Sequence, residues 1–328
     1  MMSGRPQGSV AVAILLATST FVWPARHALA WDDFGHMEVA AVAFAALKPP
    51  ARTRVAALLK LNPRYDVWVA QAKKGDQARV AFLRAATWAD AIKSDRAYKD
   101  DDPDPSAAGP MAGYEDRSRH RTWHYVDHPF SPDGTPTVAP SAPNAATQIA
   151  LFRAGLCSAQ TPDRLRSYQL VWLLHLVGDV HQPLHSVSRF DRGLPEGDRG
   201  GNLIKISGNQ APAVCDDPRY CPYGPPNELH AFFDDVVGAG YAIGAVERAA
   251  AVLPKASVKK AAVSDETVWL QESFELAVSA VYVPPIGVGP GPFTVDEAYQ
   301  KAALALAKKQ IGLAGARLAN LLNACLGP

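Results

Sequence analysis

The sequence lacks an excess of charge of either sign. It has 33 Lys and Arg against 32 Asp and Glu, a formal charge of +1. There is no global cationic field, so contact with nucleic acid would have to come from a local site and not from a broad phosphate-binding surface. It also lacks a second long apolar run. After Val10–Val22 nothing is long and apolar enough to suggest a membrane span. Cysteine is scarce, with Cys157, Cys215, Cys221 and Cys325 only, and none stands in C-x-x-C spacing. That argues against a thiolate zinc site. There is no N-x-S/T sequon, no internal repeat, no low-complexity tail and no clear linker. With 48% apolar residues, the remaining picture is one mostly helical domain.

The first thirty residues differ from the rest. Arg5 gives a short positive start, Val10–Val22 is apolar, and Ala28-Leu29-Ala30 puts small residues where a signal peptidase reads. This is the pattern of a secretory signal, and the run is shorter than the ~18 residues a membrane anchor needs. Cleavage after Ala30 would make Trp31 the first mature residue, with one domain over 31–328. It would remove Arg5 and Arg26 and no acidic residue, leaving the chain near neutrality. Export favours disulfides. Four cysteines allow three pairings. Cys215 and Cys221 bracket a short loop and could close it, which would leave Cys157 for Cys325.

Helical patterning is expected over Met37–Leu47, Ala51–Leu61, Gln77–Lys99, Asn144–Leu156, Pro162–Gln182, Glu228–Val237, Tyr241–Val252 and Ser264–Ala280. A final helix begins at Thr294, with Glu297 three residues on as a capping box. Its buried stripe is Leu304, Ile311, Leu318, Leu322 and Cys325. A short strand or hairpin is expected near Asn202–Ile206. The fold class is therefore all-α.

Within this frame the run from Leu173 to His185 is apolar, yet carries His175, Asp179 and His185. His175 and Asp179, four apart, share one helical face. Burying an imidazole and a carboxylate without partners is costly, and metal coordination is one way to satisfy both. His185 lies ten residues past His175, roughly 80° off the first face, and Pro183 breaks the helix before it. His185 therefore points to a neighbouring ion. The pattern recurs as His230-x3-Asp234. Asp90 stands in an apolar context, His124 lies between Trp123 and Tyr125, and His36 follows a glycine at a helix start. Imidazole with carboxylate and no thiolate suits zinc better than magnesium or calcium.

Six motifs stand in order: Trp31-x4-His36, Trp88-Ala-Asp90, His124-Tyr-Val-Asp127, His175-x3-Asp179-x5-His185, Gly200-Gly-Asn202 and Asn227-Glu-Leu-His230-x3-Asp234. Together they resemble the S-one/P-one family of zinc-dependent single-strand nucleases, over nearly all of the chain after Ala30. The resemblance implies three zinc ions. One is held by Asp90, His124, His175 and Asp179. A second shares Asp179 and takes His36 with the amino group and carbonyl of Trp31. The third takes His185, His230 and Asp234.

It also implies hydrolysis of single-stranded DNA and RNA to 5′-phosphate products, and 3′-nucleotidase activity. Two cations sharing Asp179 can lower the pKa of a water between them. Asp90 and Asp179 are thus candidate catalytic residues. Lys93 is a candidate beside the scissile phosphate, or an ordinary solvated helix lysine. Tyr125 by stacking and Asp127 by hydrogen bonding match base-binding positions, with Asn202 beside them. Arg199 departs from the apolar residue some members carry, and can stack or bind phosphate. His120, His128 and His181 match no ligand position, so surface or supporting hydrogen-bonding roles are expected.

Two alternatives share the metal plan: a zinc-dependent phospholipase C and a non-catalytic periplasmic zinc-binding protein. The short Trp31-to-His36 spacing, Asp234 in place of a Glu, and Tyr125 with Asp127 argue against the first. The complete ligand set argues against the second. Nucleotides and single strands are the expected partners, with no stable protein partner, no membrane and a monomer by default.

Overall fold

The computed structural model describes residues 1, 31–100, 109–209 and 224–327. The leader-like segment, the 101–108 stretch and the Cys215 and Cys221 loop lie outside the described residues. The described helices are α1 (Asp33–Ala46), α2 (Pro49–Leu59), α3 (Tyr65–Val69), α4 (Gln77–Ala85), α5 (Trp88–Ser94), α6 (Ala145–Cys157), α7 (Asp163–Asp179), α8 (Leu229–Asp235), α9 (Ile243–Ala251), α10 (Val258–Ala261), α11 (Glu266–Leu276) and α12 (Glu297–Leu326). None is long and apolar enough to cross a membrane.

Helix α7 is the axis of the fold. Every residue from Leu165 to Asp191 is buried, so α7 has no solvated face, as a helix wrapped on all sides must. Helices α2, α5, α6 and α12 pack around it, and α1 lies against α12, α9 and α4. On one side of α7, Trp88, Trp123, Phe152, Tyr168 and Trp172 meet mostly edge to face. Such aromatic pairs add about 0.5–1.5 kcal/mol each beyond burial. The Cys157–Cys325 disulfide ties α6 to the end of α12, which agrees with the pairing expected for these two.

Several boundaries differ from the sequence reading for physical reasons. The single helix expected over Gln77–Lys99 is two, broken at Ala86 and Thr87. The break leaves the Ala86 carbonyl open to accept a side-chain donor. Pro49 and Pro50 stand at the first positions of α2, where proline is tolerated. The cap of α12 is Asp296, which accepts from the Tyr299 N–H, and Thr294 lies before it in a strand. No hairpin forms near 202–206. Ile206–Ser207 instead pairs in parallel with Phe293–Thr294, and a second parallel pair joins Pro129–Phe130 to Ser188–Arg189.

His181 is fully buried at the end of α7, not on the surface. Its Nδ1–H donates to the Val177 carbonyl at 2.7 Å. Burial and nearby Arg317 push its pKa down to about 3, so neutral Nε2 accepts from Arg317 at 2.9 Å. Arg317 also donates to Glu272 at 2.6 Å and to the Lys260 carbonyl at 3.2 Å. One guanidinium thereby clamps α12 to the turn leaving α7 and to α11.

Replacing Arg317 by Leu strands the Glu272 carboxylate and the His181 lone pair. The expected loss is about 3–5 kcal/mol in urea unfolding. A lysine at 317 should recover only part of it, because an ammonium lacks the planar fork. A loss below about 1 kcal/mol would show that this clamp is not what seats α12.

Candidate metal centre

The site is assembled from six segments. Helix α1 brings His36, α5 brings Asp90 and Lys93, and the 3-10 turn Arg121–His124 brings His124. Helix α7 ends on His175 and Asp179, the 3-10 turn Pro183–Ser186 carries His185, and α8 carries His230 and Asp234. All eight histidine and aspartate side chains are buried. Gly178 lets α1 and α7 approach, since a Cβ there would lie 2.9 Å from His36 Nδ1.

The hydrogen bonds decide which ring nitrogens carry lone pairs. A carbonyl can only accept, so a ring nitrogen facing one must be the protonated one. His175 Nδ1–H donates to the Ala86 carbonyl at 2.7 Å, the group freed by the helix break. Neutral His175 then presents an Nε2 lone pair, which lies 3.0 Å from His124 Nδ1, 3.2 Å from Asp179 Oδ2 and 3.4 Å from Asp90 Oδ1. His124 Nδ1 is also 3.0 Å from Asp179 Oδ2. His36 Nε2 stands 3.3 Å from Asp179 Oδ1 and 3.9 Å from Asp90 Oδ2. No hydrogen bond of good geometry reaches His36 Nε2, His124 Nε2, Asp179 Oδ1 or either Asp90 oxygen.

A second centre repeats the logic. His185 Nδ1–H donates to the His124 carbonyl at 2.8 Å, and His230 Nδ1–H to the Gly200 carbonyl at 2.6 Å. Their Nε2 atoms face each other at 3.1 Å, with Asp234 Oδ2 3.5 Å from that of His230. Gln182 donates to Asp234 Oδ1 at 2.8 Å and accepts from the Leu184 N–H at 2.6 Å. Gln182 carries no ligand pattern, and only its place inside the apolar run marked it.

Lone pairs and carboxylates crowded in a dry interior repel unless a cation lies among them. The titration of the cluster says the same. Burial disfavours charge on His175, yet Asp179 and Asp90 together outweigh it and raise its pKa to about 10. Burial and the neighbouring His175 push His36 down to about 4. Burial and Lys93 push His124 down to about 3. Burial drives Asp234 well above the usual carboxylate range. Three sets of donors lie close enough to hold an ion: His36, Asp90 and His175; His124, His175 and Asp179; His185, His230 and Asp234. Second partners on backbone carbonyls, as on His175, His185 and His230, are the usual companions of metal-binding imidazoles.

Lys93 is not a solvated helix lysine. It is buried, with Nζ 2.7 Å from Asp90 Oδ1. It lines a cleft of about 670 Å³ together with Tyr125, Asp127, Arg199, Asn202 and His230. The five sequence-predicted substrate-side residues therefore share one cleft that reaches the second centre. His120 and His128 stay outside it: His120 is buried, stacked on Trp123 and 2.6 Å from Asp116.

Stripping divalent metal with a chelator is expected to lower the melting temperature by roughly 10 °C, with recovery on adding zinc. An unchanged transition in calorimetry would show that these groups hold no ion.

A search of the curated proteins found no match. The S1/P1 Nuclease family model matches residues 31–327. With that match over essentially the whole described fold, and with a mostly helical architecture closing on buried His and Asp groups, the chain belongs to the S1/P1 nuclease family.

Proposed function

We propose that this nuclease is an exported, zinc-dependent endonuclease. It hydrolyses single-stranded DNA and RNA to 5′-phosphate products and removes 3′-phosphates from nucleotides. The observation that carries the reading is the pair of imidazole lone pairs from His185 and His230 facing at 3.1 Å beside Asp234. It is seconded by His124 and His175 meeting at 3.0 Å beside Asp179. Such donor sets fit zinc. Bound zinc supplies Lewis acidity toward a phosphate ester and toward water.

The chain's own residues do the rest. Asp179 presents both oxygens to imidazoles, Oδ1 toward His36 and Oδ2 toward His124 and His175, the posture of a carboxylate shared between two ions. Asp90 would join His124 and His175 in holding one ion, and His185, His230 and Asp234 would hold the third. Trp31 would complete the second with its amine and carbonyl. Its indole donates to the Gly178 carbonyl at 3.1 Å, and the next residue's N–H donates to the Asp234 carbonyl at 3.1 Å. Cleavage after Ala30 would expose its amine, and the Cys157–Cys325 disulfide fits an oxidising compartment.

Lys93 carries a fixed cation to the cleft beside Asp90 and neutralises charge on a phosphate there. Tyr125 offers a ring face to an unstacked base, which favours single strands. Asp127 accepts from base N–H groups. Asn202 gives its Nδ2–H to the Arg199 carbonyl at 2.7 Å and keeps the loop set for substrate.

The direct test is parallel assay of single-stranded DNA, RNA, a 3′-nucleotide and phosphatidylcholine. Nucleic-acid cleavage is expected, with Asp179→Asn lowering kcat by a factor on the order of a thousand. Lipid cleavage without nucleic-acid cleavage would replace this reading with a phospholipase. Three bound zinc ions without any hydrolysis would make the protein a metal-binding one.

Base recognition should depend on pH. Burial, and then Asp198, raise the Asp127 pKa to about 6, with Arg199 opposing. Below that pH the carboxyl is protonated and accepts poorly. Above it the carboxylate accepts base N–H groups. KM for a favoured base is therefore expected to rise as pH falls through about 6. Asp127→Asn should flatten that limb, and an identical profile in the variant would remove Asp127 from base binding.

A further inference from the structure

Arg199 is one of two non-glycine residues with positive φ among the described residues, at 56°. Gly200 and Gly201 follow at 61° and 82°. An arginine in the left-handed region bears a backbone cost that glycine would not. The turn is nonetheless firmly fixed. The Asp198 carboxylate accepts from the Arg189 N–H at 2.9 Å and from the Tyr282 hydroxyl at 2.6 Å. The Arg199 carbonyl accepts from Asn202, and the Gly200 carbonyl holds His230. A Cβ at Gly200 would sit 2.3 Å from the Leu184 carbonyl, so the chain cannot relax by exchanging residues there.

This over-determined turn carries an exposed guanidinium between two buried residues, Asp198 and Gly200. Arg199 makes no ion pair among the described residues, and it faces the same cleft as Lys93 and Arg121. Arg121 enters the cleft from the turn that carries His124. Its Nε lies 3.4 Å from Asp100, so that guanidinium is already engaged. Lys93 is committed to Asp90. Arg199 is thus an exposed cleft cation outside the metal centre.

A planar guanidinium matches the oxygens of a phosphodiester. Because Arg199 adjoins the glycine that holds His230, its backbone is fixed beside the third donor set. We propose that Arg199 binds a phosphodiester group flanking the scissile one, and so makes the cleft select oligonucleotides over mononucleotides. This rests on the nuclease reading above.

The experiment compares kcat/KM for a single-stranded decanucleotide with that for a 3′-mononucleotide, on zinc-loaded protein. Wild type, Arg199→Ala, Arg199→Gly and Arg199→Lys are measured across a salt series. Binding of a phosphorothioate oligonucleotide is read in parallel by fluorescence anisotropy. Arg199→Ala is expected to lower the decanucleotide-to-mononucleotide ratio on the order of tenfold. It should also shrink the slope of log affinity on log salt by about 0.7, the loss of one single-strand phosphate contact.

Arg199→Lys should keep the slope, because it keeps the charge. Arg199→Gly relieves the positive φ, so it should melt no lower than wild type while binding the oligonucleotide as weakly as Arg199→Ala. That variant guards against misfolding as the explanation. An unchanged ratio and slope in the glycine and alanine variants would overturn the proposal. So would equal losses on both substrates. A fall in Arg199→Lys as deep as in Arg199→Ala with the slope intact would assign stacking instead. If wild type cleaves no nucleic acid, the nuclease reading itself fails, a result distinct from all of these.

Discussion

The structure depends on one electrostatic constraint: ring lone pairs and carboxylates face one another in a largely buried pocket. In their neutral forms His175, His185 and His230 each place their one ring proton on a backbone carbonyl. What remains on each ring is an acceptor, aimed at other acceptors. Such an arrangement is unstable without positive charge among the groups, and the rise of His175 to about 10 is the protein's response when only protons are at hand. The helix break at Ala86, the turn at Pro183 and the left-handed turn at Gly200 all serve this requirement, by putting a carbonyl or a ring where it must be.

The core and the site are built from the same segment. The buried stretch from Leu165 to Asp191 packs the aromatic cluster at one part and carries His175, Asp179 and His185 at another. The Arg317 clamp and the Cys157–Cys325 bridge bring α12 against it from outside. Packing around α7 therefore also sets the positions of the donors, and rigid secondary structure gives finer placement than loops would.

Much of this was legible in the chain. His175-x3-Asp179 and His230-x3-Asp234 are readable because helical periodicity puts residues four apart on one face. The separate direction of His185 is readable from Pro183 and from residue count. The zinc preference is a matter of donor chemistry. What could not be read has a common cause. Backbone carbonyls carry no sequence signature, so the roles of Ala86, His124 and Gly200 as acceptors appear only in three dimensions. Gln182 looks like any polar residue until Asp234, far along the chain, is found beside it. The parallel pairing of Ile206 with Phe293 depends on a contact that no local pattern encodes. The buried state of Lys93 likewise comes from how α5 sits on α7, and a helix pattern alone leaves it on either face.

His124 belongs to both centres at once. Its ring nitrogen meets Asp179 and His175, while its own carbonyl fixes the tautomer of His185. A shift of this one residue is transmitted to both donor sets through a path one peptide unit long. The two donor sets are therefore mechanically joined: whatever orders His124 in the first also orders the carbonyl that holds His185 in the second.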